Sequence, residues 1–269
     1  MSKRIAVIGV GNMAKAIVSG IKSSKDIEEC EFYLYDVVPT QCDSLIGDGI
    51  YRAESISEAV LKADCVLLSV KPQNFPEVLP KIASIDGSCD KLYITIAAGI
   101  TVSSIAAVLN TENIVRVLPN LPMLISKGVS AVCYNDKVSD DDFDFVVKVF
   151  ESAGSVLKIS EEDMNRTIGV TSSSPAYVFK FIKAICDGAR SQGLSEDGLL
   201  EAVCDMVIGS AELIKHGFGS PENMISAVAS KGGTTEKALA ELDRHGFESA
   251  VVDAMIACTG RADELGKGK

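Results

Sequence analysis

Short apolar runs alternate with helical patterns up to about residue 160 of this 269-residue chain, and no other feature restricts its fold as much. Each run is four to six residues long and rich in aliphatic or aromatic side chains, which is typical of buried strands. Strands are predicted at residues 4–8, 31–35, 65–70, 92–97, 114–117, 129–134 and 155–159. Strands that alternate with helices pair in parallel and form a doubly wound sheet. Residues 1–160 are therefore predicted to form a Rossmann-type α/β domain.

Beyond residue 160 the strand patterns end, and only helical patterns continue. Helices are predicted at 175–192, from a Ser195 cap to about 216, from Ser220, after a cap at Thr234 or Thr235, and from 247 to about 265. Their apolar faces are broader than a small surface helix needs. This favours contact with a second subunit, with a well-buried bundle inside one chain as the alternative. Residues 161–269 are predicted to form an all-α dimerisation domain.

The first predicted strand is followed by the sequence GVGNMA, which fits the dinucleotide fingerprint G-x-G-x-x-G/A. Gly9 permits a tight turn, Gly11 lets the backbone approach a diphosphate, and Ala14 lets the helix pack closely on the strand. The diphosphate would then lie on the first N–H groups of the helix, around Asn12 and Met13. Because the motif stands between a strand and a helix, it predicts a site for NAD(H) or NADP(H).

An acidic residue, Asp36, ends the second predicted strand. A carboxylate at this position accepts hydrogen bonds from the adenosine ribose in many dinucleotide-binding domains. Such a carboxylate would favour NADH, because it would repel a 2′-phosphate. A simple turn residue at the strand end is the alternative.

Two further strand ends would lie at the same edge of the sheet, where cofactors bind. We expect their small residues and main chain to line the ribose and the nicotinamide, although each motif is weak by itself. The residues are Ser69, Val70, Lys71 and Pro72 after the third strand, and Ala97, Ala98 and Gly99 after the fourth.

The sequence GGTT at residues 232–235 precedes a helical pattern in the second domain. The N–H groups of Gly233, Thr234 and Thr235 could converge on a carboxylate, and the hydroxyls could donate to a substrate atom. Taken alone, the segment is better explained as a threonine-capped helix after a glycine turn.

Composition excludes several classes of function. The formal net charge of −11 argues against nucleic-acid binding, and no apolar stretch approaches the length of a membrane span. The two histidines, His216 and His245, lack the spacing of a zinc site, so no metal is expected. With no leader pattern, and with eight scattered cysteines interpreted as reduced, a cytoplasmic location is expected.

Taken together and in order, the motifs resemble those of pyrroline-5-carboxylate reductases, and the resemblance covers nearly the whole chain. The segments that carry it are GNMA at 11–14, SVKPQ at 69–73, AAGI at 97–100, LPNLP at 118–122, SPAYVF at 174–179, SKGGTTEKAL at 230–239 and GF at 246–247. The chain departs from the usual family pattern at Ser172–Ser174, Lys231 and Leu121.

The resemblance implies NADPH- or NADH-dependent reduction of 1-pyrroline-5-carboxylate to L-proline by a homodimer or a larger homo-oligomer. It implies that Gly233, Thr234 and Thr235 bind the substrate carboxylate, with the Thr235 hydroxyl near the imine nitrogen. Asn120 and Ser230 would complete the pocket. Two alternatives remain: a related hydroxyacid dehydrogenase, disfavoured because residues 165–177 contain no lysine, and a non-catalytic sensor of dinucleotide or proline.

Overall fold

Eight strands form one sheet in the order β3-β2-β1-β4-β5-β6-β7-β8. The computed structural model describes residues 3–25, 27 and 29–266. The first six strands follow the 3-2-1-4-5-6 order of dinucleotide-binding domains. The strands are β1 (Arg4–Ile8), β2 (Glu31–Tyr35), β3 (Ile50–Arg52), β4 (Cys65–Leu68), β5 (Leu92–Thr95), β6 (Ile114–Leu118), β7 (Gly128–Cys133) and β8 (Gly154–Ile159).

Five helices pack on the two faces of this sheet, and a sixth follows its last strand along the chain. They are α1 (Asn12–Ser23), α2 (Ile56–Lys62), α3 (Phe75–Ala83), α4 (Val102–Leu109), α5 (Asp140–Glu151) and α6 (Glu161–Thr167). Successive residues of a strand enter opposite cores: Val7 packs with α1 and α5, whereas Ile8 packs with α2 and α3. Strands buried on both faces need continuous apolar runs, which is why the sequence pattern located β1, β4, β5 and β6.

All seven predicted strands are confirmed to within two residues, and β3 was missed. β3 has only three residues, and two of them, Tyr51 and Arg52, are exposed. A short edge strand with one buried residue has neither an apolar run nor a clear alternation. Pairing with β2 through Phe32 and Ile50, rather than local sequence, creates it.

The expectation of an all-parallel sheet was wrong at one pair, because β7 runs antiparallel to β6. Residues 119–127 connect the two strands and contain only a short 3-10 helix, Leu121–Ile125. A parallel crossover needs a dozen or more residues. The chain is too short here to return to the start of β6, so it reverses direction instead.

The second compact unit, Ser174–Ile256, is all-helical, as predicted. The first unit comprises the described residues up to Ser173 and those from Ala257 onward. The sequence prediction put the domain boundary at 160/161, and the contacts divide the chain at 173/174. The helices beyond α6 are α7 (Ser174–Ser191), α8 (Leu199–Lys215), α9 (Pro221–Val228), α10 (Thr234–Arg244) and α11 (Phe247–Gly266). In the part of the chain that the structure describes, no helix is long and apolar enough to cross a membrane.

The helical unit has almost no core within one chain. Among the hydrophobic residues of 174–256, all of which the structure describes, only Cys186 and Val203 are buried. Large apolar side chains remain exposed along its helices, including Phe179, Ile208 and Ile256. The alternative of a well-buried bundle inside one chain is therefore not what the structure contains.

Candidate active site

The turn after β1 packs tightly against the loop after β4, and Gly9 makes this possible. Gly9 has a φ of +92°, which L side chains rarely adopt. A Cβ atom built on Gly9 would lie 2.9 Å from Val70 Cγ1 and 3.0 Å from the carbonyl oxygen of Ser69. Glycine is thus required for the ends of β1 and β4 to meet.

Helix α1 begins beside this turn with main-chain donors that no side chain caps. Gly11 is the N-cap residue in an extended conformation, and the first turn carries no acidic residue. A Cβ atom on Gly11 would have no neighbour within 4 Å among the described residues. Asn12 is exposed and Met13 partly exposed, while Ala14 is fully buried at the contact with the sheet. An open helix start whose own first turn carries no acidic residue fits a diphosphate.

Asp36, after β2, is turned toward the glycine turn. Its Oδ2 accepts a hydrogen bond from the Val10 N–H at 2.7 Å, and its Oδ1 accepts one from the Val38 N–H at 2.9 Å. Asp36 thus holds the loop between β1 and α1. Neither interpretation from the sequence, a ribose contact or a turn residue, included this role. Each carboxylate oxygen can accept a further bond, so contact with the ribose stays a prediction.

We expect Asp36→Ser to weaken NADH and NADPH binding, because the Val10 N–H loses its acceptor and the glycine turn loosens. NADH should lose about 1–2 kcal/mol more than NADPH, because only the ribose hydroxyl of NADH also loses an acceptor. Titration calorimetry with both cofactors measures the two affinities, with Asp48→Ser on the exposed surface as the control. An unchanged affinity ratio would show that Asp36 does not touch the ribose.

The loop after β4 contains Ser69, Val70, Lys71 and Pro72. The Ser69 N–H donates to the Ile8 carbonyl at 2.9 Å, which continues the pairing of β1 with β4 beyond the strands. The Ser69 hydroxyl is buried and has no hydrogen-bond partner among the residues that the structure describes. Lys71 is exposed, and Pro72 begins a short 3-10 helix. A buried hydroxyl without a partner fits a site that receives polar groups from outside the chain.

The loop after β5 contains Ala97, Ala98 and Gly99. Ala97 is buried, and Gly99 has a φ of +78° that favours glycine. Because β2, β1, β4 and β5 are parallel neighbours, the loops after them share one edge of the sheet. The structure thus brings all the predicted cofactor residues to this edge, with Asp36 on one side of the glycine turn and Gly99 on the other.

Asn120, predicted to contact the substrate, is buried between main-chain groups. Its Nδ2 donates to the Thr171 carbonyl at 2.9 Å, and its Oδ1 accepts from the Val129 N–H at 2.8 Å. Thr171 belongs to a π-helical turn, Ile168–Ser172, that precedes α7. Asn120 therefore holds the end of β6 to β7 and to this turn, and its contact with substrate stays a prediction.

The GGTT segment forms the start of α10, as the helical pattern predicted. The N-cap is Gly233 rather than Thr234 or Thr235, and within the described residues no side chain caps it. The Gly233 N–H donates to the Ser230 carbonyl at 2.9 Å, so the helix-start donors that remain for a substrate carboxylate include those of Thr234 and Thr235. Ser230 and Thr234 are exposed, and Thr235 is partly exposed.

Glu236 was missed as part of this segment. Its carboxylate accepts a hydrogen bond from the Gly232 N–H at 2.6 Å and so fixes the glycine turn from inside the helix. An acidic residue three positions after an N-cap is a known helix-start signal, and it could have been recognised in the sequence.

An open helix start of the kind that binds phosphate lies at the edge of a 3-2-1-4-5-6 sheet, and a helical unit follows it along the chain. This combination is typical of one class of protein: two-domain oxidoreductases that use NAD(H) or NADP(H). Comparisons with known proteins agree. A family model for NADP oxidoreductases, coenzyme F420-dependent, matches residues 4–99, and one for pyrroline-5-carboxylate reductase dimerisation matches residues 161–265.

The chain belongs to the pyrroline-5-carboxylate reductase family. It is 35% identical to the pyrroline-5-carboxylate reductase of Escherichia coli K12 over 99% of this chain and 100% of that one. The structure of the Plasmodium falciparum pyrroline carboxylate reductase with NADP bound matches with a TM-score of 0.87 and 27% identity, covering 98% of each chain. The Streptococcus pyogenes enzyme matches with a TM-score of 0.88 and 29% identity, over 98% of this chain and 99% of that one. The chain is accordingly an NAD(P)H-dependent oxidoreductase that acts on a C=N bond.

Proposed function

We propose that this chain reduces 1-pyrroline-5-carboxylate to L-proline, with NADH or NADPH as the reductant. The observation that carries the proposal is the match to pyrroline-5-carboxylate reductases along the whole chain. Two helix starts whose N-cap residues have no side-chain cap, those of α1 and α10, support it, because the reaction needs one site for a diphosphate and one for a small carboxylate.

The start of α10 is proposed to bind the substrate carboxylate. The N–H groups of Thr234 and Thr235 lie in the first turn of the helix, where donors are unpaired and the helix dipole favours an anion. Gly233 and Ser230 shape the turn, since the Gly233 N–H is bound to the Ser230 carbonyl. Local dipoles of this kind let a chain with a net charge of −11 hold an anionic substrate.

Thr235 is proposed to place a hydroxyl at the imine nitrogen. A protonated imine is already electrophilic, so the reaction needs no strong side-chain base, and catalysis rests on orientation and on hydrogen bonding at nitrogen. The reduced nicotinamide, when bound, supplies the hydride for the imine carbon. Within the described residues no hydrogen bond engages the Thr235 hydroxyl, which leaves it available to a ligand.

The helical unit is proposed to form a homodimer or a larger homo-oligomer in the cytoplasm. Its exposed apolar side chains and nearly absent core support burial against a second copy. A mass of at least two 28.4-kDa chains is expected in sedimentation of the purified protein. A monomer at assay concentration would contradict this part of the proposal.

The purified chain should oxidise NADH or NADPH when 1-pyrroline-5-carboxylate is added, with L-proline as the product. Nucleotide oxidation is followed by absorbance and proline by amino-acid analysis, with a reaction lacking the imine as the blank. A small hydroxyacid with the oxidised cofactors tests the alternative dehydrogenase activity. Absence of turnover with both reduced cofactors would contradict the proposed function. A non-catalytic sensor of dinucleotide would then be the favoured alternative.

A further inference from the structure

A buried cation lies within the sheet beside the proposed cofactor edge. Arg116, on β6, is only 1% exposed and is paired in register with Thr95, the last residue of β5, and with Cys133 on β7. Its guanidinium donates to Asn165 Oδ1 at 2.7 Å and lies 3.7 Å from Glu161 Oε1. Burial lowers the pKa of Arg116, and the Glu161 carboxylate opposes that shift. Burying a charge is costly unless it is paired, so the two partners on α6 are needed to stabilise it.

Glu161, the first partner of Arg116, contacts the end of the loop of residues 96–101, which joins β5 to α4. Glu161 Oε1 accepts a hydrogen bond from the N–H of Val102, the first residue of α4, at 2.7 Å. The same oxygen is the one nearest the Arg116 guanidinium. Arg116 thus orients the carboxylate that holds the far end of the loop.

Asn165, the second partner of Arg116, contacts the end of α11, and that end of α11 packs against the middle of the same loop. Asn165 Nδ2 donates to Asp263 Oδ1 at 2.8 Å, while Asn165 Oδ1 accepts from Arg116. The turn of α11 that carries Asp263 lies against Gly99: a Cβ atom there would be 3.1 Å from both the Ala262 carbonyl oxygen and Leu265 Cβ. Asp263 therefore anchors the helix end on which Gly99 packs.

We propose that Arg116 is a positioning residue that sets the loop of residues 96–101 against the nicotinamide half of the cofactor, through Glu161 at one end and Asn165–Asp263 at Gly99. In a sheet of this order the two halves of a dinucleotide lie on opposite sides of the glycine turn. Asp36 marks the adenosine side, so the loop after β5 serves the nicotinamide side. The inference rests on the proposed function for the identity of the cofactor.

The test compares Asp263→Ala with Glu264→Ala. Asp263 is exposed and can be changed without leaving a buried charge, and Glu264 beside it pairs only with Arg261 at the surface in the described structure. Calorimetry measures the Kd of each variant for the preferred reduced cofactor and for the matching ADP-ribose, which lacks nicotinamide. We expect Asp263→Ala to weaken binding of the whole cofactor about tenfold and to change the ADP-ribose Kd less than twofold, because only the nicotinamide side is displaced. Glu264→Ala should change neither Kd.

Conservative and second-site variants separate positioning from folding. Asp263→Asn keeps an acceptor for Asn165 and should restore the wild-type Kd. Asn165→Ala, which leaves the Arg116–Glu161 ion pair in place, should reproduce the selective loss seen with Asp263→Ala, whereas Arg166→Ala on the adjacent exposed position should not. Equal weakening of both ligands, or unchanged affinities with a lower melting temperature, would overturn the inference. Absence of turnover by the wild-type protein, combined with the selective loss, would reject the proposed substrate and keep the positioning role.

Discussion

Gly11→Val is expected to remove tight NADH and NADPH binding while the protein without cofactor remains as stable as the wild type. Gly11 has φ −78° and ψ −178°, a conformation that valine adopts readily. Among the described residues, apart from its chain neighbours, no atom lies within 4 Å of a Cβ built there, so no clash opposes folding. The valine methyl groups would instead occupy the space through which a diphosphate approaches the N–H groups of α1. We expect a Kd at least about 100-fold higher, equivalent to about 2.7 kcal/mol.

Calorimetry gives the Kd, and a thermal melt without cofactor gives the stability, with a change of less than about 2 °C expected. Gly188→Ala in α7 is the control and should leave cofactor binding unchanged, because a Cβ there would also have no neighbour within 4 Å among the residues that the structure describes. Gly9→Ala provides the contrast: its Cβ would clash with Val70 at 2.9 Å, so it should reduce stability as well as binding. A Kd for Gly11→Val within threefold of wild type would place the diphosphate elsewhere.

Thr235→Val is expected to lower kcat by about 100-fold, the effect of removing one hydrogen-bond donor from a reacting centre. Valine has nearly the shape of threonine, so the loss reports the hydroxyl and not a cavity. The helix start should not weaken, because no side-chain cap bond is made there. The Kd for the reduced cofactor should stay at the wild-type value, since Thr235 is not among the residues predicted to hold the cofactor.

Steady-state kinetics with 1-pyrroline-5-carboxylate gives kcat and KM, and calorimetry gives the cofactor Kd. Thr235→Ser retains a hydroxyl and should recover most of the lost kcat. Equal kcat values for Thr235→Val and the wild type would remove the hydroxyl from the mechanism. A rise in KM without a change in kcat would assign Thr235 to substrate binding only.

Local sequence predicted an element correctly wherever the interactions that form the element lie within one short segment. The apolar runs of β1 and β4 and the helix that begins after Ser220 were predictable because burial and capping are encoded within a few residues. The glycine turn after β1 was predictable for the same reason, since Gly9 and Gly11 act through their own backbones.

Apart from Glu236, whose partner Gly232 is only four residues away, the missed features depend on distant partners. A charged residue inside the apolar run of β6 was a visible signal, yet its partners Glu161 and Asn165 lie some 45–50 residues away. For Asp36 the sequence suggested a ribose contact or a turn residue, and it did not indicate the bond with the Val10 N–H, 26 residues before it. Sequence patterns do not show which buried groups will form hydrogen bonds or ion pairs with each other.

The sequence by itself determined the class of fold, the cofactor turn and the family, because these depend on short motifs and on their order along the chain. Only the tertiary structure decided how the motifs are held: the reversal of β7, the acceptor role of Asp36 and the double anchoring of the loop after β5 by Arg116. The physical reason is that a hydrogen bond or an ion pair forms wherever folding brings two groups within about 3 Å, however far apart they lie along the chain.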